Sequence, residues 1–223
     1  LNTESELKML NVIDMASGYL PVELSGTFCG GHAVPKGTTE HDQTNLIVNE
    51  MIPLIINEKN EGRLQTIENI DVFCEKGNFE VDSSRTILEA GKKAGLAINF
   101  HAEELNQIGG AEMGAEIGAR AMSHLEKVSD NGIRAMQKSG TVAVLLPTTA
   151  YMLRLFPPPA RKMIDSGVIV ALGSDFNPNA YCYSMPMFTD APRWEHIIYQ
   201  FGGHNALIKH VVKNGNVVYS KQT

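Results

Sequence analysis

Six short apolar runs recur along the chain, at Val22–Phe28, Ile70–Cys74, Ala97–Phe100, Ala119–Ser123, Val142–Leu146 and Val168–Leu172. They are rich in Val, Ile, Leu and Phe and read with little polar alternation, as strands buried on both faces do. Helical patterns lie between them. Ser5–Ala16 carries Leu7, Leu10 and Val12-Ile13 at helical spacing, and Gly18 ends it. Thr44–Lys59 is strongly apolar, and Pro53 inside it predicts a kink or two pieces. Asp82 is expected to cap a helix closed by Gly95, Ser129 one closed by Gly140, and Pro158 or Pro159 to open one closed by Gly167. Thr3 before Glu6 predicts a capping box. Strand–helix alternation implies parallel β/α units with right-handed crossovers. Two α/β architectures satisfy it: a doubly wound open sheet, or a (β/α)8 barrel two strands short.

Composition narrows the functional classes. The 223 residues suffice for one or two domains, and 43% hydrophobic with 20% charged residues is ordinary for a globular chain. No run approaches the roughly 20 apolar residues of a membrane helix, so no membrane partner is expected. Net charge is -6 and Lys and Arg do not cluster, which argues against nucleic acid. Cys29, Cys74 and Cys182 are odd in number and far apart, which reads as reduced thiols in a cytosolic, cytoplasmic protein. Residues 207–212 and 217–219, joined by Asn214-Gly215, predict a β-hairpin outside the repeat.

Three apolar strands run into a titratable residue: Phe100 into His101, Ser123 into His124, and Gly173-Ser174 into Asp175. Parallel strands share one C-terminal face, where active sites form. Two imidazoles and a carboxylate on one rim suit Zn(II) or Fe, with an open position for water. Each residue alone has a plainer reading as a strand-end or capping group, so from pattern alone the metal site and the structural reading stay balanced. Glu103 and Glu104 follow His101, and either is readable as an acid in the first turn of a helix. His32 follows Cys29-Gly30-Gly31, whose glycines permit close backbone approach. Thr148 and Thr149 close the fifth run. His41, His196, His204 and His210 read as surface residues. No base adjoins a cysteine, so no nucleophilic thiol is expected.

Several stretches together resemble the imidazolonepropionase family of the amidohydrolase superfamily. They are Glu6–Leu10, TFCGGHAVP from Thr27, Val72–Glu75, HAEEL from His101, Ser123–Leu125, GTVAVLLP from Gly140 and SDFNP from Ser174. The resemblance spans nearly all of residues 1–188. It implies an incomplete TIM-like barrel (strands 3–8) over 1–188, and a C-terminal remnant of a β-sandwich over 189–223. It also implies hydrolysis of 4-imidazolone-5-propanoate to N-formimidoyl-L-glutamate, in histidine degradation. By the family pattern His101 and Asp175 are metal ligands, and Asp175 also takes a proton. His124 holds water or carbonyl, and Glu104 binds the ring and moves protons. His32, Asn177, Asn179 and Ala180 contact substrate, although many relatives carry Gly where Asn179 stands. Arg63, Arg85 and Arg120 occupy no obvious rim position for the propanoate.

Two departures stand out. The superfamily's HxH metal pair occurs nowhere in this chain, and Leu1 matches a point just after the second barrel strand. Ser184–Met187 is followed almost at once by Arg193–Glu195, so Phe188–Pro192 reads as a junction across a deletion. The chain is thus expected to be a piece of a metal-dependent hydrolase, with weak metal affinity and no turnover in isolation. The competing expectations are a non-catalytic product of the same gene, and another amidohydrolase of the deaminase or dihydroorotase kind. The expected partners are the small-molecule substrate and a second copy of the chain as homodimer.

Overall fold

The computed structural model describes residues 2–181, 210–213 and 216–220. Six parallel strands form one sheet: β1 Gly26–Gly31, β2 Ile67–Cys74, β3 Ala97–Ala102, β4 Ala121–His124, β5 Val142–Leu145 and β6 Val170–Leu172. Their spatial order is their order in the chain. A doubly wound sheet reverses its strand order at a switch point. No reversal occurs here, so the sheet is that of an incomplete (β/α)8 barrel and the open-sheet alternative falls. By packing, the chain divides into two compact units, 1–145 with 158–171, and 146–157 with 172–223. The boundary expected at 188 lies outside the described residues.

In the first unit, helix α1 spans Thr3–Ser17. Asn2, not Thr3, supplies its capping box: the Asn2 side chain accepts from Ser5 N, and the Ser5 hydroxyl lies 3.3 Å from Asn2 N as its acceptor. The apolar segment around Pro53 is three pieces, α2 Glu40–Leu46, a π-turn Ile47–Met51 and α3 Ile52–Asn60. Proline cannot donate to the carbonyl four residues back, and widening the preceding turn accommodates that loss. Helix α4 is Val81–Lys93, and Glu80 rather than Asp82 occupies its cap position. Asp82 instead sits in the first turn, where its charge meets the positive end of the helix dipole. Helix α6, Asp130–Ser139, is capped by Ser129 and stopped by Gly140, as the sequence predicts. Helices α5 Gly110–Glu116 and α8 Ala160–Asp165 complete the unit. The first strand starts at Gly26 rather than Val22.

Strand side chains alternate between two faces. Ile70, Val72, Ile98, Phe100, Met122 and Ala143 point into the buried core with Ile87, Leu88, Ile133 and Met136 of the helices. The alternate positions of β2 and β3 are polar: Asn69 and Asp71, Asn99 and His101. Asn99 Nδ2 donates to Asn69 Oδ1 at 2.7 Å across the strands, so these positions share a face. The strands therefore alternate more than the sequence reading allowed, because their second face carries the polar chemistry.

Gly114 on α5 lets the helix seat on this core. A Cβ there would lie 2.6 Å from both Met122 Sδ and Phe100 Cε1. In Gly114→Ala the gain in helix propensity is about 1 kcal/mol, against about 1–3 kcal/mol for overpacking. The Phe100 ring is fully buried, so overpacking wins and a net loss of roughly 1 kcal/mol is expected in urea denaturation. Unchanged or raised stability would show that the groove has room.

The second unit contains helix α7 Pro147–Met152, the turn after β6, and the antiparallel pair β7 His210–Lys213 with β8 Asn216–Ser220. The antiparallel pairing expected there is present over these residues, with residues 207–209, Asn214 and Gly215 outside the described residues. Among the described residues no helix is long and apolar enough to cross a membrane.

Candidate functional site

The site of the first unit grows from the C-terminal ends of β1–β4. In the β2–β3 register Phe73 pairs with His101, and in the β3–β4 register Ala102 pairs with His124. Asp71 thus stands one alternation before Phe73, on the same face as His101. Its carboxylate accepts from His101 N at 3.1 Å and receives His101 Nδ1 at 2.9 Å. Holding Nδ1–H in this way fixes the tautomer and leaves a lone pair on Nε2. Asp71 also accepts from the Cys29 thiol, Sγ to Oδ2 at 3.7 Å.

His32 follows β1 directly. Gly31 allows this, since a Cβ there would meet Val72 Cγ2 at 3.0 Å. Asn78 Nδ2 donates to the His32 carbonyl at 3.0 Å and holds the backbone. The His32 ring stacks on Phe73, with centroids 5.5 Å apart. Its Nε2 lies 3.3 Å from His101 Nε2.

His124 should point to the helix side if it continued the alternation of β4. Its backbone has φ +76, and Leu125 after it φ +67. This left-handed corner re-aims the ring, whose centroid lies 4.9 Å from that of His101. Non-glycine residues take such angles at a cost of about 1–3 kcal/mol, and they concentrate at functional sites. Glu104 Oε2 lies 3.7 Å from His124 Nε2, and Glu126 Oε2 lies 3.9 Å from His124 Nδ1. The His124 Nδ1 atom is buried without a hydrogen-bond partner among the described residues. Burial, reinforced by His101, pushes the His124 imidazole down to about 3. It is therefore neutral at physiological pH.

Two buried carboxylates hold the loop that carries Glu104. Glu75 Oε2 accepts from Leu105 N at 2.9 Å and Asn106 N at 3.3 Å, and Glu75 Oε1 from Asn106 Nδ2 at 2.8 Å. Glu103 Oε1 accepts from Ile108 N, Gly109 N and Gly110 N at 3.2, 2.8 and 2.8 Å. Glu103 also has positive φ, +58. Its burial raises the carboxyl above its ordinary range despite the three donors. Glu103 is thus an anchor and not a solvated acid.

The second unit holds Asp175, which also has positive φ, +47. Thr149 Oγ1 donates to its Oδ2, and Thr148 Oγ1 donates to the Ser174 carbonyl at 2.8 Å. Asn177 Nδ2 donates to the Asp175 carbonyl at 2.7 Å. Asn177 Oδ1 accepts from Asn179 N at 2.8 Å and Ala180 N at 3.2 Å. The Asn177 amide therefore shapes the turn from inside it.

The structure brings His32, His101, His124 and Glu104 to one end of the first sheet. Sequence reasoning missed Asp71, Glu75, Glu103 as an anchor, and Glu126. The available signal was the lone acid inside the apolar run Ile70-Asp71-Val72-Phe73-Cys74. Arg63 and Arg85 are engaged elsewhere, with Glu58 and Glu61 and with Glu116. Arg120 reaches Asn69 Oδ1 at 3.4 Å. Burial pushes the Cys29 thiol well up and the Cys74 thiol up to about 11. Neither is a ready nucleophile. The donor set fits a divalent metal: His101 offers an imidazole lone pair backed by a carboxylate, the arrangement of metal-ligating histidines.

No family model matches the chain. A solved guanine deaminase from C. acetobutylicum superimposes with a TM-score of 0.58 at 18% identity, over 79% of this chain and 44% of that one. That likeness shows the fold alone. Curated relatives called probable imidazolonepropionase match along the whole chain. The protein of Nematostella vectensis is 52% identical over 100% of this chain and 62% of its own length. That of Mus musculus is 49% identical over 99% of this chain and 62% of its own. Both alignments run longer than the chain, at 268 and 267 positions against 223 residues, so the relatives carry internal segments that this chain lacks. The chain spans about 62% of the length of these relatives. With such identity along its full length, the chain is a homologue of proteins called probable imidazolonepropionase.

Proposed function

We propose that these residues serve metal-dependent hydrolysis of a cyclic amide, 4-imidazolone-5-propanoate plus water giving N-formimidoyl-L-glutamate, with Zn(II) or Fe as the metal. The observation that carries this reading is His101, its Nδ1 edge held by Asp71 and its Nε2 turned to His32, beside a buried neutral His124. The names of the relatives supply the substrate class.

His101 and, by the family resemblance, Asp175 are the proposed ligands. A bound divalent metal supplies acidity to water and polarises a carbonyl oxygen. His124 is neutral and can donate or accept one hydrogen bond at that carbonyl or water. Glu104, 3.7 Å from His124 Nε2, is placed to hold the imidazolone N–H and return a proton to the leaving ring nitrogen. Asp175 accepts from Thr149 and is the proposed proton acceptor. Asn177, Asn179 and Ala180 are the proposed substrate-contacting turn. The Asn177 side chain and the N–H groups of Asn179 and Ala180 bond to one another, which fixes the shape of that turn.

The test is calorimetric binding and spectrophotometric turnover of imidazolone propanoate by the purified chain, with and without Zn(II) or Fe(II). Metal-dependent turnover supports the hydrolase. Metal-dependent binding without turnover supports the non-catalytic sister product. Preference for guanine or a dihydropyrimidine amide moves the protein to another amidohydrolase class. The absence of any metal-dependent binding or turnover overturns the proposal.

A further inference from the structure

Helix α1 is apolar on two faces. Leu10 is buried in the core of the first unit, and Leu7 and Ile13 pack against that core. The outer face carries Met9, Val12 and Met15, and the chain beyond the helix continues it with Tyr19, Leu20 and Val22. These six side chains are 49% to 84% exposed. Asp14 is the one charged residue between Met9 and Val22, and it turns inward, accepting from Thr66 N at 2.9 Å and Thr66 Oγ1 at 2.8 Å. The stripe is thus free of exposed charge, with the exposed Lys8 and Glu23 at its two ends. A helix that is apolar all round belongs in an interior, and a contiguous apolar patch of more than a few hundred Å² marks an interaction site.

We infer that the outer face of α1 pairs with the same face of a second copy of this chain, antiparallel about a two-fold axis at Val12. The inference is independent of the hydrolase reading.

Two observations favour a second copy as the occupant. The first is the symmetry of the stripe, because a closed dimer needs a patch complementary to itself. Along the helix Met9 and Met15 lie at equal distances from Val12, about 4.5 Å before and after it, and on either side of it. In the antiparallel pair each Met9 therefore comes level with Met15 of the partner subunit. Four flexible thioether side chains then pack around the two central valines. Tyr19 reaches the polar first turn of the facing helix, where its hydroxyl stays in water. The second observation is area. At ordinary side-chain sizes the six residues expose on the order of 600 Å² per copy, or about 1,200 Å² for a pair, the lower end of specific interfaces. The apolar centre and the charged ends have the layout of such an interface.

Sedimentation velocity on the whole 223-residue chain should show a monomer–dimer equilibrium with a dissociation constant on the order of 10 μM. Val12→Glu puts two like charges on the axis and should weaken it at least about tenfold. Val12 is exposed and Glu is a good helix former, so circular dichroism should show this variant folded. Under oxidation Val12→Cys should form a disulfide between copies, because facing helices about 8–10 Å apart bring these two Cα atoms within disulfide range. Met9→Cys should not, because its symmetry mate lies about 9 Å away along the axis. Peptide mass mapping separates these links from the native Cys29, Cys74 and Cys182. A monomer at concentrations well above that constant leaves the stripe to a different partner and overturns the inference. So does a dimer that Val12→Glu leaves intact, which pairs elsewhere, as along the open edge of β1. A Met9→Cys disulfide as ready as that of Val12→Cys overturns the antiparallel pairing.

Discussion

Glu103→Ala is expected to lower unfolding free energy by roughly 3 kcal/mol, the scale of charge-assisted hydrogen bonds lost from buried donors. Glu103 is fully buried, and one of its oxygens receives three successive amides at the entrance of α5. The cap position of that helix is Gly109, which has no side chain to cap it. Alanine leaves the N–H groups of Ile108, Gly109 and Gly110 facing an apolar hole. Glu103→Gln keeps an oxygen in the same place, and its loss should stay within about 1 kcal/mol. Urea denaturation measures both, and hydrogen exchange at Gly109 and Gly110 should quicken in the alanine variant alone. Equal stability of the two variants would refute the anchoring role. The effect reaches the site, because Glu75 and Glu103 grip the two ends of the loop between them and Glu104 rides on it.

Asp71→Asn should weaken divalent metal binding by about 10- to 100-fold with the fold intact, the usual cost of removing the outer partner of a ligating histidine. The substitution is isosteric at a position 7% exposed, so packing is preserved. The hydrogen-bonding sense is not. An asparagine can turn its NH2 toward His101 Nδ1, which moves the ring proton to Nε2 and blocks the lone pair. If it keeps its oxygen there, the ring still loses the negative charge that raises its basicity. Zn(II) calorimetry on both proteins, with circular dichroism as the fold check, gives the answer. Unchanged affinity would mean that Asp71 only braces the strand.

Much of the barrel was legible locally. Each apolar run marked a strand to within a few residues, except that Val22–Ser25 stays outside β1. Proline at 53 broke its helix, and Ser129 and Gly140 delimited theirs. The cap of α4 was misread because Asp82 and Glu80 are both acids near the right place, and only the backbone path decides which one occupies the cap. His101, His124 and Asp175 were visible because a titratable group at the end of an apolar strand is conspicuous.

Asp71 was not visible in this sense. An acid within a strand has meaning only through its neighbour, and that neighbour is 30 residues away across a strand register. His124 shows the same limit. Its sequence position puts it on the wrong face, and a positive φ at the strand end turns it back.

The sequence by itself determined that this chain is a run of parallel β/α units with imidazoles and a carboxylate at strand ends, because hydrophobic periodicity and turn chemistry act over a few residues. The tertiary structure alone decided that the strands follow one another without reversal. It also decided that Asp71 commits His101 to one tautomer, and that two buried carboxylates hold the Glu104 loop. Those outcomes depend on register and on left-handed corners, which bring together groups that no local pattern connects.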